Sequence, residues 1–251
     1  MNPRIATVAC AVLALGVLPA TPAAADDFYG MATRPKESPQ NFAIEFRFSP
    51  YRPKIDDDPA LGGATPYRST FGDMRRLLFQ IEFDWQALRI PHVGTLGPGI
   101  ALGFTNMSAK ASKTNGGGPS DEDTNLEIFP VYLVAVFRAD VILRELKFPL
   151  VPYLKGGFGA ARWRAYGPLG TSSSGTVNGK GTTYGTHIAA GVTLSLNFLD
   201  HAATLNLDNS VGINQTHLFL EYYVSALNGL GQSNALYVGS NSWATGLAFE
   251  F

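Results

Sequence analysis

Histidines are the residues of this chain best suited to acid–base chemistry. His187 and His217 fall on the polar face of segments in which apolar and polar residues alternate, whereas His92 and His201 fall in predicted turns. Catalysis by a histidine base needs a hydroxyl or thiol nucleophile within hydrogen-bond reach. No recognisable nucleophile accompanies His187 or His217, and the only cysteine, Cys10, lies near the N-terminus. We therefore expect no enzymatic activity.

Two acidic clusters could offer oxygen ligands to a cation. They are Asp56–Asp58 in IDDDP and Asp121–Asp123 in SDED. Neither has the ligand spacing of a dedicated calcium loop, so we interpret both as solvated turns. The segment TSSSGTVNGKG lacks the spacing and the strand-to-helix context of a phosphate-binding loop. The sequence thus predicts no cofactor and no metal site.

Most other charged residues lie in segments with an apolar residue at every second position. In NFAIEFRFSP one face carries Phe42, Ile44, Phe46 and Phe48. This period of two indicates a β-strand, since a helix of about 3.6 residues per turn would not separate the two sets. Eight such segments run from NFAIEFRFSP to SWATGLAFEF. On their polar faces we expect a network of ion pairs and hydrogen bonds that contains Glu45, Arg47, Glu82, Asp84, Lys155, His187 and Glu221.

Eight strands with connections of alternating length are typical of bacterial outer-membrane barrels. The connections after odd-numbered strands are generally longer (51–75, 108–124, 166–181, 227–234) than the others (89–93, 139–149, 199–212). A soluble sandwich or barrel would show the same alternation. Glycines on the polar faces favour the membrane barrel, because inside a narrow lumen they leave room for larger side chains from neighbouring strands. Aromatic residues near the strand ends are typical of the two membrane interfaces of such a barrel. The aromatic residues in these positions are Trp85, Tyr184, Tyr222, Tyr223, Trp243 and Phe251.

The N-terminal segment predicts export. Residues 1–25 combine Arg4, an apolar stretch and Ala23-Ala24-Ala25, as a secretory signal peptide does. A membrane anchor is the alternative, but the apolar stretch is shorter than the roughly 20 residues of a spanning helix. A lipoprotein modified at Cys10 is a weaker alternative. Residues 26–40 form a short polar periplasmic lead, and residues 41–251 form the predicted eight-stranded antiparallel up-and-down transmembrane β-barrel.

The C-terminal strand resembles the assembly signal of Gram-negative outer-membrane proteins. Gly246, Phe249 and Phe251 occupy the pattern's glycine and aromatic positions, although Ala244 stands where a polar residue is usual. This resemblance implies recognition by the barrel-assembly machinery, while the predicted signal peptide implies export through the Sec pathway. The mature chain is similar to small OmpX/OmpA-type barrels. More narrowly, FRFSPYRPKID and GINQTHLFLEYY resemble an uncharacterised outer-membrane family of myxobacterial type, which implies a fold and a location but no activity.

These observations predict a monomeric outer-membrane barrel of structural or surface-interaction type, with a lumen filled by polar side chains. A narrow channel or small-molecule transporter is the alternative, and an enzyme acting on lipid is third. The expected partners are outer-membrane lipid, lipopolysaccharide and, during biogenesis, the assembly machinery, while the external ligand stays unknown. The formal net charge of −1 shows no excess of positive charge of the kind that binds nucleic acid.

Overall fold

The computed structural model describes residues 41–112, 119–174, 177–197, 210, 212–232 and 235–251. The predicted signal peptide (1–25), the predicted lead (26–40), most of the 199–212 connection and His201 lie outside these residues. Within the described part of the chain, eight long strands account for most of the structure. They are β1 (Phe42–Tyr51), β2 (Arg76–Trp85), β3 (Gly94–Ser112), β4 (Pro119–Arg138), β5 (Leu150–Gly167), β6 (Lys180–Ser195), β7 (Gln215–Ala226) and β8 (Ser240–Glu250).

The eight strands form a closed antiparallel sheet. Each strand pairs with its neighbours in sequence, and β8 pairs with β1, where Phe249 is opposite Ile44. Closure removes the unpaired edges that would otherwise be open to association or aggregation. The predicted eight-stranded up-and-down barrel is therefore confirmed.

The connections contain short elements. In the ranges that the structure describes, the α-helices are α1 (Pro66–Phe71) and α2 (Val141–Arg144), which lies within RADVILRELKF. Three-residue 3₁₀ helices span Ile55–Asp57, Pro59–Leu61 and Gly229–Gly231, and minor strands span Leu88–Ile90, Gly170–Thr171, Ser173–Ser174 and Val177–Asn178. Among the described residues, no helix has the length and apolar character needed to cross a membrane.

The strands differ in length. β3 to β6 contain 16 to 20 residues, whereas β1, β2, β7 and β8 contain 10 to 12. About 9–11 residues cross a bilayer. The four long strands are therefore longer than a bilayer requires. Their extra residues lie at the end that carries the connections after odd-numbered strands. We call this end the loop end and the opposite end, where β1 begins and β8 finishes, the terminal end.

The predicted loop over 108–124 is wrong for most of its length. β3 continues to Ser112 and β4 starts at Pro119, so Asp121 and Asp123 lie on a strand. Lys110 Nζ is 2.9 Å from Asp123 Oδ1 across the β3–β4 pair. Apolar alternation is lost where a strand has solvent on its outer face, and this is why the sequence pattern ended early. The Asp56–Asp58 cluster falls in the connection after β1, as expected.

The outer face of the barrel is apolar. Large side chains with about 40–60% of their surface exposed cover it, among them Phe42, Phe46, Phe48, Leu77, Ile81, Phe83, Ile100, Leu102, Phe104, Phe129, Leu133, Leu154, Leu218, Leu220 and Leu247. A contiguous apolar surface on this scale is far larger than soluble monomers expose. Together with the closed sheet, it is the surface of a transmembrane β-barrel.

Candidate functional site: the barrel interior

A cluster of buried charges lies in the middle of the barrel. Alternation along each strand directs Glu45 and Arg47 of β1 inward, and likewise Glu82 and Asp84 of β2, Lys155 of β5 and Glu221 of β7. All six residues have 2% or less of their surface exposed. The structure thus brings six of the seven predicted network residues together, and His187 lies apart from their ion pairs.

Arg47 and Lys155 bind the same three carboxylates. Arg47 Nη1 lies 2.6 Å from Glu45 Oε2 and 3.0 Å from Glu82 Oε2, while Nη2 contacts Glu221. Lys155 Nζ lies 2.7 Å from Glu45, 2.5 Å from Glu82 and 3.7 Å from Glu221. Buried charges are tolerated when they are paired and hydrogen-bonded. Each cation here therefore neutralises charge contributed by three different strands.

Arg138 is an interior cation that is absent from the network predicted from the sequence. It lies on β4 with 5% of its surface exposed, and its Nη2 donates to Glu45 Oε1 (2.8 Å) and to Asp84. Proline within a strand is typical of a bulge or an edge, so Pro130 obscures the phase of β4 in the sequence. In the structure Pro130 is buried and alternation continues through it to Tyr132 and Arg138. Counting by twos from Pro130 would have placed Arg138 inside.

Glycines provide the space for this cluster. A Cβ atom added to Gly99 would lie 2.1 Å from Asp84 Oδ1, and one added to Gly191 would lie 2.6 Å from Cζ of Tyr153. Interiors of this size are filled by side chains. The inward-facing glycines of the sequence thus reflect close packing.

The geometry of the charged cluster brings carboxylates together, but their existing contacts argue against a metal site. One oxygen each of Glu45, Glu82 and Asp84 lie within 4.8 Å of one another. Lys155 and Arg138 already contact these carboxylates. Protein cations therefore stand where a metal ion would have to bind.

His187 lies in a layer of tyrosines nearer the loop end. Its ring centroid is 4.3 Å from that of Tyr132 and 5.7 Å from that of Tyr223, and only 5% of its surface is exposed. The nearby Ser225 hydroxyl is hydrogen-bonded to the Tyr132 hydroxyl at 3.0 Å. Tyr223 was expected among the interface aromatics, but it is 2% exposed and faces the interior. Alternation explains this, because Tyr222 occupies the outward position.

An apolar cluster fills the lumen from the loop end down to the level of the charged cluster, where Ala101 is opposite Glu82 and Val136 is opposite Lys155, and we call it the apolar plug. Its buried members come from five strands and from the connections after β1 and β7: Tyr51, Ile55, Tyr67, Leu78, Ala101, Met107, Leu126, Ile128, Tyr132, Val134, Val136, Ala161, Leu227 and Val238. The hydroxyl of Tyr67 donates to Met107 Sδ at 3.2 Å. Burial raises the pKa of the Tyr67 hydroxyl, which keeps this donor protonated.

The connection after β1 is held over the barrel by Asp56. Its two carboxylate oxygens accept hydrogen bonds from the backbone amides of Tyr67 (2.8 Å) and Arg68 (3.0 Å) at the start of α1. Helices begin with amides that lack intrahelical partners. Asp56 supplies these partners and so positions Tyr67 in the apolar plug.

The terminal end of the lumen is polar and tightly filled. Gln86 Nε2 donates to Glu250 Oε1 at 3.1 Å, and His217 Nε2 lies 3.6 Å from Glu250 Oε2. A cavity of about 10 Å³ remains between these residues and Arg138, which is close to the space of a single water. Within the described residues, His217 has no nucleophile hydrogen-bonded to it. His92 lies exposed in the turn before β3, 2.8 Å from Glu145.

Four of the six predicted interface aromatics, Trp85, Tyr184, Tyr222 and Trp243, point outward. Trp85 is 47% exposed at the terminal end, whereas Tyr184, Tyr222 and Trp243 are 41–56% exposed towards the loop end. The ring centroids of Tyr222 and Trp243 are 5.2 Å apart.

The predicted assembly signal lies at the closure between β8 and β1. Phe251 N donates to Phe42 O at 2.9 Å, and the ring of Phe249 lies 6.2 Å from that of Phe46. A Cβ at Gly246 would lie 1.8 Å from Phe46 O. These residues therefore help to close the barrel, and their role as a recognition signal stays a prediction.

Comparison with known proteins identifies solved barrels of low sequence identity. No family model matches the chain, and no curated protein matches it. Similar solved structures include outer membrane protein OprG of Pseudomonas aeruginosa (13% identity, 84% of this chain and 96% of that chain covered, TM-score 0.48). Others are the attachment invasion locus protein Ail of Yersinia pestis, in complex with the heparin analogue sucrose octasulfate (12%, 84% and 97%, TM-score 0.40), and the outer membrane enzyme PagL (11%, 83% and 99%, TM-score 0.40).

These likenesses leave the function open, because their identities are only 11–13%. The narrower resemblance to a myxobacterial family has no support from the comparisons.

Proposed function

We propose that this protein is an integral barrel of the Gram-negative outer membrane whose main role is structural or interactive, with its loop end displayed outside the cell. The observation that carries this proposal is the division between the two faces of the sheet. The outer face is apolar, while the inner face carries Glu45, Arg47, Glu82 and Lys155 in mutual contact. Such a barrel is stable in lipid and offers its connections for contact with other molecules.

The proposed biogenesis follows from the two ends of the sequence. Residues 1–25 would direct export through the Sec pathway, and the strand ending in Phe249 and Phe251 would be recognised by the assembly machinery. We expect the mature protein to be a monomer surrounded by outer-membrane lipid and lipopolysaccharide. Closure of β8 onto β1 supports this expectation, since it leaves no barrel edge for a second copy.

The filled interior supports a non-conducting role over that of a channel. The charged cluster occupies the middle of the lumen, and the apolar plug covers it at the loop end. Ion conduction requires a continuous path with binding weak enough for release. At the terminal end of the lumen, the side chains around Arg138 leave a space of about 10 Å³, which is close to the size of one water.

The position of His187 supports a non-catalytic role over that of a lipid-acting enzyme. An enzyme of that kind needs its base and nucleophile at the lipid face. His187 is buried between Tyr132 and Tyr223 instead, and Ser225 is engaged with Tyr132.

Two measurements test the proposed function. The protein should fold into detergent micelles and migrate faster on a gel before heating than after heating, as folded membrane barrels do. In planar bilayers it should produce no steps in current, with an open porin as the positive control. Regular single-channel steps would overturn the structural role, and the absence of folding in detergent would overturn the membrane location.

A further inference from the structure

Three cationic side chains lie together on the outer surface of β5 and β6, near the loop end. Arg162 and Arg164 are on β5, Lys180 is the first residue of β6, and all three are exposed. The strand register places Arg164 opposite Lys180 and Arg162 opposite Thr182. Arg162 is therefore the diagonal neighbour of Lys180, at a separation of about 7–8 Å that long side chains can bridge. We call these three residues the cationic patch.

A single carboxylate compensates part of this charge. Glu127 of β4 lies opposite Arg164, with Oε2 at 3.4 Å from Arg164 Nη2, while its Oε1 accepts a hydrogen bond from the Tyr166 hydroxyl at 3.0 Å. In the part of the chain that the structure describes, no carboxylate lies within ion-pair distance of Arg162 or Lys180. Like charges at neighbouring strand positions repel one another. An anion from outside the protein would relieve that repulsion.

The cationic patch adjoins the apolar outer face directly. Phe129 of β4 lies opposite Arg162, is 44% exposed, and has its ring 4.9 Å from that of Phe104. Glu127, Phe129, Arg162, Trp163 and Arg164 line a surface groove of about 360 Å³. One side of this groove is thus suited to hydrocarbon and the other to a negative charge.

We propose that the cationic patch binds a phosphate group of lipopolysaccharide, with acyl chains of the same molecule packed against Phe104 and Phe129. Arginine and lysine both bind phosphate oxygens through charge-assisted hydrogen bonds. The adjoining aromatic side chains favour a lipid over a free anion. The choice of lipopolysaccharide rests on the proposed function, which puts the loop end, and with it the cationic patch, at the outer leaflet.

Binding of purified, phosphorylated lipopolysaccharide to the detergent-folded protein tests this inference. The variants are Arg162→Gln, Lys180→Gln and the double substitution, and the matched control is Lys147→Gln, which removes an exposed lysine before β5. We expect each patch substitution to weaken binding about tenfold, the effect of losing one charge-assisted hydrogen bond. Lys147→Gln should leave the affinity unchanged. High salt should weaken wild-type binding, since an exposed ionic contact is screened.

Dephosphorylated lipopolysaccharide, phosphatidylglycerol and inorganic phosphate identify the chemistry that is recognised. We expect each of them to bind at least about tenfold more weakly than the phosphorylated lipopolysaccharide. Unchanged binding by the double variant, or full binding of the dephosphorylated form, would overturn the proposal. Equal binding of phosphatidylglycerol would replace it with a general anionic-lipid site, and equal binding of phosphate with a free-anion site.

The gel assay distinguishes these outcomes from the case in which the proposed membrane location is itself wrong. A variant that shows the heat-dependent change in migration is folded, so its weaker binding is attributable to the patch. A wild-type protein that folds in detergent but does not bind lipopolysaccharide would refute the patch and leave the proposed location intact.

Discussion

Replacing Arg47 with methionine tests whether the charged cluster stabilises the barrel. Arg47 contacts Glu45, Glu82 and Glu221 and has 2% of its side chain exposed. Methionine keeps much of the apolar stem but leaves Glu221 with Lys155 at 3.7 Å as its remaining cation. Removing one partner of a buried pair costs about 3–5 kcal/mol, because an uncompensated charge stays buried. We expect the free energy of unfolding to fall by about that amount.

The matched control removes an exposed arginine. Arg68 Nε lies 2.8 Å from Asp73 Oδ1, with more than half of each side chain exposed. An exposed pair contributes about 0–1 kcal/mol, so Arg68→Met should have little effect. Urea unfolding in lipid vesicles, followed by the fluorescence of the three tryptophans, measures both variants.

A second substitution separates charge from packing. In the Arg47→Met background, Glu221 is the carboxylate left with the most distant remaining cation. Glu221→Gln removes that uncompensated charge, so we expect part of the stability to return. The double-mutant cycle then gives a coupling energy between the two residues. If Arg47→Met costs no more than Arg68→Met, or if the coupling is near zero, the reasoning about the buried cluster is refuted.

Two further substitutions and one deletion test the packing, the closure and the loop end. Gly99→Ala should lower the folded fraction on a gel, because its Cβ would lie 2.1 Å from Asp84 Oδ1, whereas Gly156→Ala should be tolerated since no atom lies within 4 Å of the added Cβ; equal folding of the two would count against a tightly filled lumen. Deleting Phe251 should reduce assembly in cells, measured as heat-modifiable protein in the outer membrane, and normal assembly would argue against an assembly signal. Asp56→Ala removes the acceptor for the Tyr67 and Arg68 amides and should destabilise the loop by about 1 kcal/mol, seen as faster proteolysis between β1 and β2. The exposed Asp57 provides the control, and identical proteolysis of both variants would contradict the role of Asp56.

The alternation of residues made the fold and most of the interior predictable. In β1 it separates Phe42, Ile44 and Phe46 from Glu45 and Arg47, and the structure has the same separation. Side-chain direction along a strand is a local property of the backbone with a period of two. This is why the number of long strands, their order and the inward-facing residues of most of them follow from the sequence.

Errors arose where this local pattern ends or is interrupted. β4 passes through Pro130 and starts several residues before its apolar alternation, so Arg138 and the position of Asp121–Asp123 were missed. The prediction that Tyr222 and Tyr223 both lie at the interface is wrong for Tyr223, because adjacent residues of a strand point to opposite faces.

The sequence by itself determined which face each side chain of the clear strands occupies, because that follows from backbone geometry alone. Only the tertiary structure decided which inward-facing residues meet. Arg47 and Glu221 are 174 positions apart, and their contact depends on the register and stagger with which the strands close into a barrel. The packing of Ile55 and Tyr67 over the lumen is also non-local. It required the connection after β1 to fold back onto strands that come much later in the chain.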